Sequence, residues 1–147
     1  MSLAADYQNM ADAIDLAKAQ TGKTGKNPAV GCVLVSAKGE RLAASVTGAG
    51  GKRHAEQIAL EGLPGDAARG GTAYVTLEPC RERSAGGLSC SERLIEAGVT
   101  RIVCAIADAH PKGAGGFIRL VNAGVTVEVG LMKEEAGKLY RDFFAGL

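Results

Sequence analysis

The chain has 147 residues, 46% of them hydrophobic, and a formal net charge of +1. That length and apolar content suit one domain with a real core, so residues 1–147 are read as a single domain and disorder is excluded as the default state. Balanced charge with no run of Lys or Arg argues against nucleic acid and against an anionic membrane as partners.

From its start the chain reads as helix. Ala4 to Gln20 is expected to be amphipathic, with Tyr7, Met10, Ile14 and Ala17 on one stripe and Asp6, Asn9, Asp12 and Lys18 away from it. This pattern does not resemble a secretion signal, and no apolar run is long enough to span a bilayer. The polar stretch from Thr21 to Asn27 is a loop, and Pro28 pushes Asn27 toward extended geometry. Ala29 to Ser36 is a continuous apolar run, as in a strand buried on both faces. A turn at Lys38-Gly39 returns the chain as a second strand, Glu40 to Val46, in a hairpin. Three Gly between Thr47 and Lys52 form a loop that delivers the chain to His54. His54 to Leu63 is expected to be helical, with Ile58, Ala59 and Leu63 inward, and Pro64-Gly65 ends it.

Thr72 to Leu77 is a third strand, closed by Pro79 because Pro cannot continue a central ladder. After a polar loop, Ser91 to Ala97 is a helix and Arg101 to Ala107 a fourth strand. A turn-rich loop over 108–115 leads to a helix from Gly116 to Ala123. A short strand from Val125 to Val129 and a final helix from Leu131 to Phe144 complete the chain, the helix with Leu131, Leu139 and Phe143 on its apolar side. Strands alternating with helices predict α/β architecture, with helices packed on both faces of one five-stranded sheet. The opening hairpin makes that sheet mixed.

Four cysteines stand at 32, 80, 90 and 104. The chain is too rich in core for a small disulfide scaffold, so reduced thiols and a cytoplasmic location are expected. Cys32 and Cys104 lie inside apolar strands and read as small core residues. Cys80 and Cys90 differ, because each stands where an element ends or begins. So does His54, in His54-Ala55-Glu56. One imidazole and two thiols supply three zinc ligands and leave a fourth coordination position open, the pattern of a catalytic rather than a structural site. Glu56 is the candidate proton shuttle. An i,i+2 pair does not share a face within a regular helix, which is an objection that weakens in the first turn. The signature H-x-E followed by P-C-x-x-C belongs to zinc deaminases of nucleobases. The chain matches its first half and its P-C, but nine residues separate Cys80 from Cys90. Glu78 reads either as a group orienting backbone near Cys80 or as a structural strand end. His110 reads as a loop residue or a substrate contact, and Lys52, Arg53, Arg81, Arg83 and Lys112 as solvated charges flanking the site, one or two of which a phosphate on the substrate would engage.

With these residues the chain resembles the cytidine deaminase-like superfamily, and within it the deaminase domain of the bifunctional riboflavin-biosynthesis deaminase/reductase. The matching stretches are Asn27-Pro28-Ala29-Val30-Gly31-Cys32, His54-Ala55-Glu56, Ala73 to Cys80 (AYVTLEPC) and Leu94 to Val99 (LIEAGV). Asp108 and Pro111 fall in that family's D-P-N-P loop. The resemblance implies a three-layer α/β/α fold with Zn2+ on His54, Cys80 and Cys90 and with Glu56 as proton shuttle. It places Asn27, Ala55 and Asp108 at substrate-binding positions. The implied reaction replaces an exocyclic amine of a small aminopyrimidine with oxygen and releases ammonia. A homodimer or tetramer is also implied. The chain departs from the family in lacking a counterpart of the reductase domain, in the segment before His54, and in a loop between the two cysteines that is one residue longer. Three alternatives stand beside this reading. They are a cytosine-, cytidine- or guanine-type nucleobase deaminase, a nucleic-acid (tRNA) editing deaminase, and a non-catalytic zinc module. Few aromatics and the missing C-x-x-C argue against the second, and the lack of a fourth ligand against the third.

Overall fold

The computed structural model describes residues 2–83, 87–109 and 114–145. Among the described residues ten elements follow in the predicted order: α1 (Leu3–Gln20), β1 (Gly31–Val35), β2 (Arg41–Val46), α2 (Ala55–Glu61), β3 (Thr72–Leu77), α3 (Cys90–Glu96), β4 (Arg101–Ile106), α4 (Gly116–Asn122), β5 (Thr126–Val129) and α5 (Lys133–Ala145). The strands form one mixed sheet in the order β2-β1-β3-β4-β5. β1 runs antiparallel to both β2 and β3, whereas β3, β4 and β5 are mutually parallel. Among the described residues no helix is long and apolar enough to cross a membrane.

Alternation along the central strands sorts the core into two layers. Cys32, Leu34, Ala73, Val75, Ile102 and Cys104 face α2, α3 and α4, where Ala55, Ala59, Leu94 and Leu120 meet them. Val33, Val35, Tyr74, Val103 and Ala105 face α1 and α5, against Met10, Ile14, Ala136 and Tyr140. Helices on both faces make this the expected α/β/α sandwich. Cys32 and Cys104 are fully buried, as their apolar surroundings predict. α1 lies so close to β1 that a Cβ on Gly31 would stand 1.9 Å from the Ala13 carbonyl oxygen.

The structure corrects the predicted face of α1. Tyr7 is 49% exposed, and Asp6 is buried. Asp6 accepts two bonds from the Arg101 guanidinium, at 3.1 and 2.8 Å, and one from the Tyr74 hydroxyl at 2.6 Å. A paired and hydrogen-bonded carboxylate can take a core-facing position that hydropathy assigns to an apolar side chain. α2 stops at Glu61, short of Leu63, and its fully buried residues are Ala55, Glu56 and Ala59, with Ile58 only half-buried. α5 begins at Lys133, because Met132 takes a left-handed φ of 57° that no helix continues through.

Pairing directions gather the site. β2, β3 and β4 run the same way, so Val46, Leu77 and Ile106 end at one edge of the sheet, where antiparallel β1 begins at Gly31. The segments carrying Asn27, Cys80 and Asp108 leave or enter the sheet there, as α/β ligand sites do at the carboxyl ends of strands.

Candidate active site

His54 is the N-cap of α2 and keeps extended geometry, φ −79° and ψ 153°. Its imidazole makes no capping bond. Its Nδ1 lies 3.2 Å from Cys90 Sγ and 3.7 Å from Cys80 Sγ. Because His54 stands outside the helix and Glu56 inside its first turn, the i,i+2 objection does not apply. Glu56 is 3% exposed, under the same group of donors.

Cys80 and Cys90 are joined by main-chain contacts. The Cys90 N–H donates to Cys80 Sγ at 3.2 Å, and the Ser91 hydroxyl donates to the Cys80 carbonyl at 2.9 Å. Cys90 opens α3, whose N-cap Ser89 forms a capping box with Glu92. The ligand atoms of His54, Cys80 and Cys90 all lie within 4.8 Å of one another. Two soft thiols and an imidazole suit zinc, and among the described residues no fourth such side chain joins the group, so the set is open.

The charges fit the same use. A hydrogen bond from the Cys90 thiol, helped by His54 and the Cys90 amide, holds the Cys80 thiol down at about 4, so Cys80 is a thiolate. That thiolate and burial hold the Cys90 proton in place until something replaces it. Hydrogen bonding to Cys80 raises the affinity of His54 for its proton. Burial, with Cys80 second, pushes Glu56 up to about 7, where a carboxyl group can both accept and release a proton near neutral pH.

A cavity of about 380 Å³ opens over these groups, lined in part by Asn27, His54, Glu56, Cys80, Asp108 and Phe143. The Asn27 side-chain amide donates to the Gly51 carbonyl at 2.7 Å, which laces the loop before β1 to the Gly-rich loop before His54. Gly51 is required there: its φ is +82°, and a Cβ would meet the Thr24 carbonyl oxygen at 2.1 Å. Ala55, by contrast, is fully buried and is not part of the lining. Its carbonyl accepts from the Ser45 hydroxyl at 2.7 Å.

Of the flanking basic residues, Arg83 is no mere surface charge. It lines the cavity and donates to Gln57 Oε1 at 2.9 Å and to the Lys52 carbonyl at 2.5 Å. Arg53 pairs with Glu61, while Lys52 and Arg81 are exposed. His110 and Lys112 lie outside the described residues. Lys26 and Phe143 also line the cavity. Neither was legible as a site residue, since a loop lysine and a helix aromatic carry no motif. Glu78 takes the first of its two predicted roles in a wider form: its carboxylate accepts the main-chain N–H groups of Asp108, Gly115 and Phe117.

The chain's likeness to known proteins agrees with this chemistry. The family model described as the cytidine and deoxycytidylate deaminase zinc-binding region matches residues 4–106. A riboflavin biosynthesis protein RibD from Aquifex aeolicus is 41% identical over 140 residues, covering 95% of this chain, which spans 38% of that protein's length. A diaminohydroxyphosphoribosylamino-pyrimidine deaminase from Buchnera aphidicola is 36% identical over 141 residues, covering 92% of this chain and 90% of its own length. Among solved structures, a RibD from Acinetobacter baumannii superimposes with a TM-score of 0.89 at 39% identity, covering 98% of this chain and 40% of that one.

Proposed function

The chain belongs to the cytidine and deoxycytidylate deaminase zinc-binding family, and on that premise we propose that it deaminates the diaminopyrimidine ribosyl phosphate of riboflavin biosynthesis. The observation that carries this reading is the convergence of His54, Cys80 and Cys90 beside a buried Glu56 under one cavity.

His54, Cys80 and Cys90 would hold the zinc, which supplies Lewis-acid activation of the water that attacks the ring. Glu56 accepts a proton from the attacking water and passes it to a ring nitrogen; it then accepts a second proton, from the hydroxyl left on the ring carbon, and passes that one to the amine as the C–N bond breaks and ammonia leaves. Burial keeps that exchange away from bulk solvent and sets the affinity of Glu56 for its proton close to neutral. Asn27 and Asp108 bind the heterocycle from the wall. Lys26 and Arg83 place positive charge at the mouth, which supports an anionic group on the substrate.

Four free thiols support a reducing, cytoplasmic setting. Exposed Ile118 and Val121 on α4 and Val129 on the edge strand β5 support a homodimer or tetramer. An ammonia-release screen on zinc-loaded protein tests the assignment. The diaminopyrimidine ribosyl phosphate is expected to turn over far faster than cytosine, cytidine or guanine. Preference for any of the other three would overturn the substrate.

A further inference from the structure

Glu78 follows the last residue of β3, and its side chain is buried on the cavity wall. Both carboxylate oxygens are engaged by main-chain donors. Oε1 accepts the N–H of Asp108 at 3.0 Å, and Oε2 accepts those of Gly115 at 3.2 Å and Phe117 at 3.1 Å. Asp108 and Gly115 bracket the segment between β4 and α4. One carboxylate therefore holds the main chain at Asp108 and again at Gly115 and Phe117, through charge-assisted bonds of the stronger kind.

At the far end Glu78 replaces a missing cap. Gly115 is the N-cap of α4, has a left-handed φ of 102°, and offers no side chain to the helix. Phe117 is the second residue of α4, whose N–H an N-cap side chain ordinarily satisfies. Glu78 supplies that acceptor from another element, with its negative charge at the positive end of the helix. α4 is also pressed against the peptide leading to Cys80: a Cβ on Gly116 would stand 1.7 Å from the Pro79 carbonyl oxygen. At the near end stands Asp108, half-buried on the cavity wall.

We infer that Glu78 is a positioning residue for the substrate-side wall: by holding the Asp108, Gly115 and Phe117 amides it fixes where Asp108 stands relative to His54, Cys80 and Cys90, and it carries no proton in the reaction. The inference rests on the deaminase reading of the site. It separates two acidic residues of similar burial by what their oxygens touch. Glu56 faces the metal ligands, and Glu78 faces backbone.

The test combines Glu78→Ala, Glu78→Gln, Asp108→Ala and the Glu78→Ala/Asp108→Ala double variant. Each is assayed for zinc content, amide hydrogen exchange and ammonia release from the diaminopyrimidine ribosyl phosphate. Zinc is expected to stay at the parent level, and the amides of Asp108, Gly115 and Phe117 to lose protection. KM should rise about tenfold in Glu78→Ala while kcat stays within about threefold, as for a displaced binding group. Gln, which keeps one acceptor oxygen, should fall between parent and Ala. On the Asp108→Ala background, Glu78→Ala should add less than about twofold to KM, because both changes disable the same contact. Unchanged KM with only a lower melting temperature would reduce Glu78 to a helix cap and overturn the inference. So would a collapse of kcat with a shifted pH profile, or loss of zinc. Hydrogen exchange needs no turnover, so a parent protein that released no ammonia would refute the deaminase assignment while the pinning of these amides was still decided.

Discussion

Asp6→Ala offers a sharp test of how α1 is fastened to the sheet. The Asp6 carboxylate accepts two hydrogen bonds from Arg101 and one from Tyr74, and its side chain is 11% exposed against 22% for Arg101. Removing one partner of a fully buried ion pair costs about 3–5 kcal/mol. Here Arg101 keeps Glu128 at 2.6 Å and is reached by water, so the loss should be about 2–3 kcal/mol. For a chain of this size that lowers Tm by about 5–10 °C, measurable by circular dichroism or calorimetry. Asp6→Asn keeps the size and the acceptor for Tyr74 but gives up the charge, for about 1–2 kcal/mol. The two proteins should also differ with pH. Arg101 holds the Asp6 carboxyl below its ordinary range in the folded state. The folded pKa is thus lower than the unfolded one, near 3.9, so the stabilisation is complete above about pH 5 and is lost as pH falls through the folded value. Asp6→Asn has no such contribution to lose. The stability gap between parent and Asp6→Asn should therefore be constant from about pH 5 to 8 and narrow steadily below about pH 4. A gap that stayed constant into acid, or a cost for Asp6→Ala under about 0.5 kcal/mol, would refute the assignment of the pair as a fastening.

Three further outcomes are expected. Glu56→Gln is nearly isosteric in a buried position, so it should retain the parent zinc content while ammonia release falls about 10²–10⁴-fold; full activity would remove Glu56 from proton transfer. Cys90→Ala should leave the protein with substoichiometric zinc after dialysis against a weak chelator, as read by atomic absorption, and parent-level metal would exclude Cys90 as a ligand. Gly116→Ala forces a methyl group against the Pro79 carbonyl and should cost about 1–3 kcal/mol in urea unfolding, whereas Gly62→Ala, with its nearest neighbour 3.8 Å away, should be within about 0.5 kcal/mol of neutral.

The element order, the mixed sheet and the grouping of His54, Cys80 and Cys90 were legible in the sequence because each has a local signature. Apolar runs, turn residues and short motifs report on neighbours a few positions away. What was not legible depends on partners far along the chain. Asp6 is buried because of Arg101, 95 residues on, and no periodicity in α1 announces it. No motif singles out Tyr140, yet its hydroxyl meets Thr76 at 2.6 Å and donates to the Ala29 carbonyl at 2.8 Å, tying α5 to the segment that carries Asn27. Phe143, one turn beyond Leu139 on α5, reaches the cavity. Glu78 was placed near the site by its motif, but its three amide partners lie 30 to 39 residues away. The departure of the Cys80 to Cys90 spacing from the compact signature was visible, and the cause of its harmlessness was not.

That cause is the way Cys90 is held. Its helix is started by its own capping box, and the Cys90 amide and Ser91 hydroxyl dock directly on Cys80. The position of the second thiol is thus encoded at its own end of the connection rather than measured out along it. A connection whose length does not set the distance between its anchors is free to gain or lose residues, since lengthening a loop changes its closure entropy only logarithmically. The stretch between the cysteines, whose Glu82 and Arg83 line the cavity, is therefore where this scaffold can gain or lose residues beside the cavity while Cys80 and Cys90 stay in register.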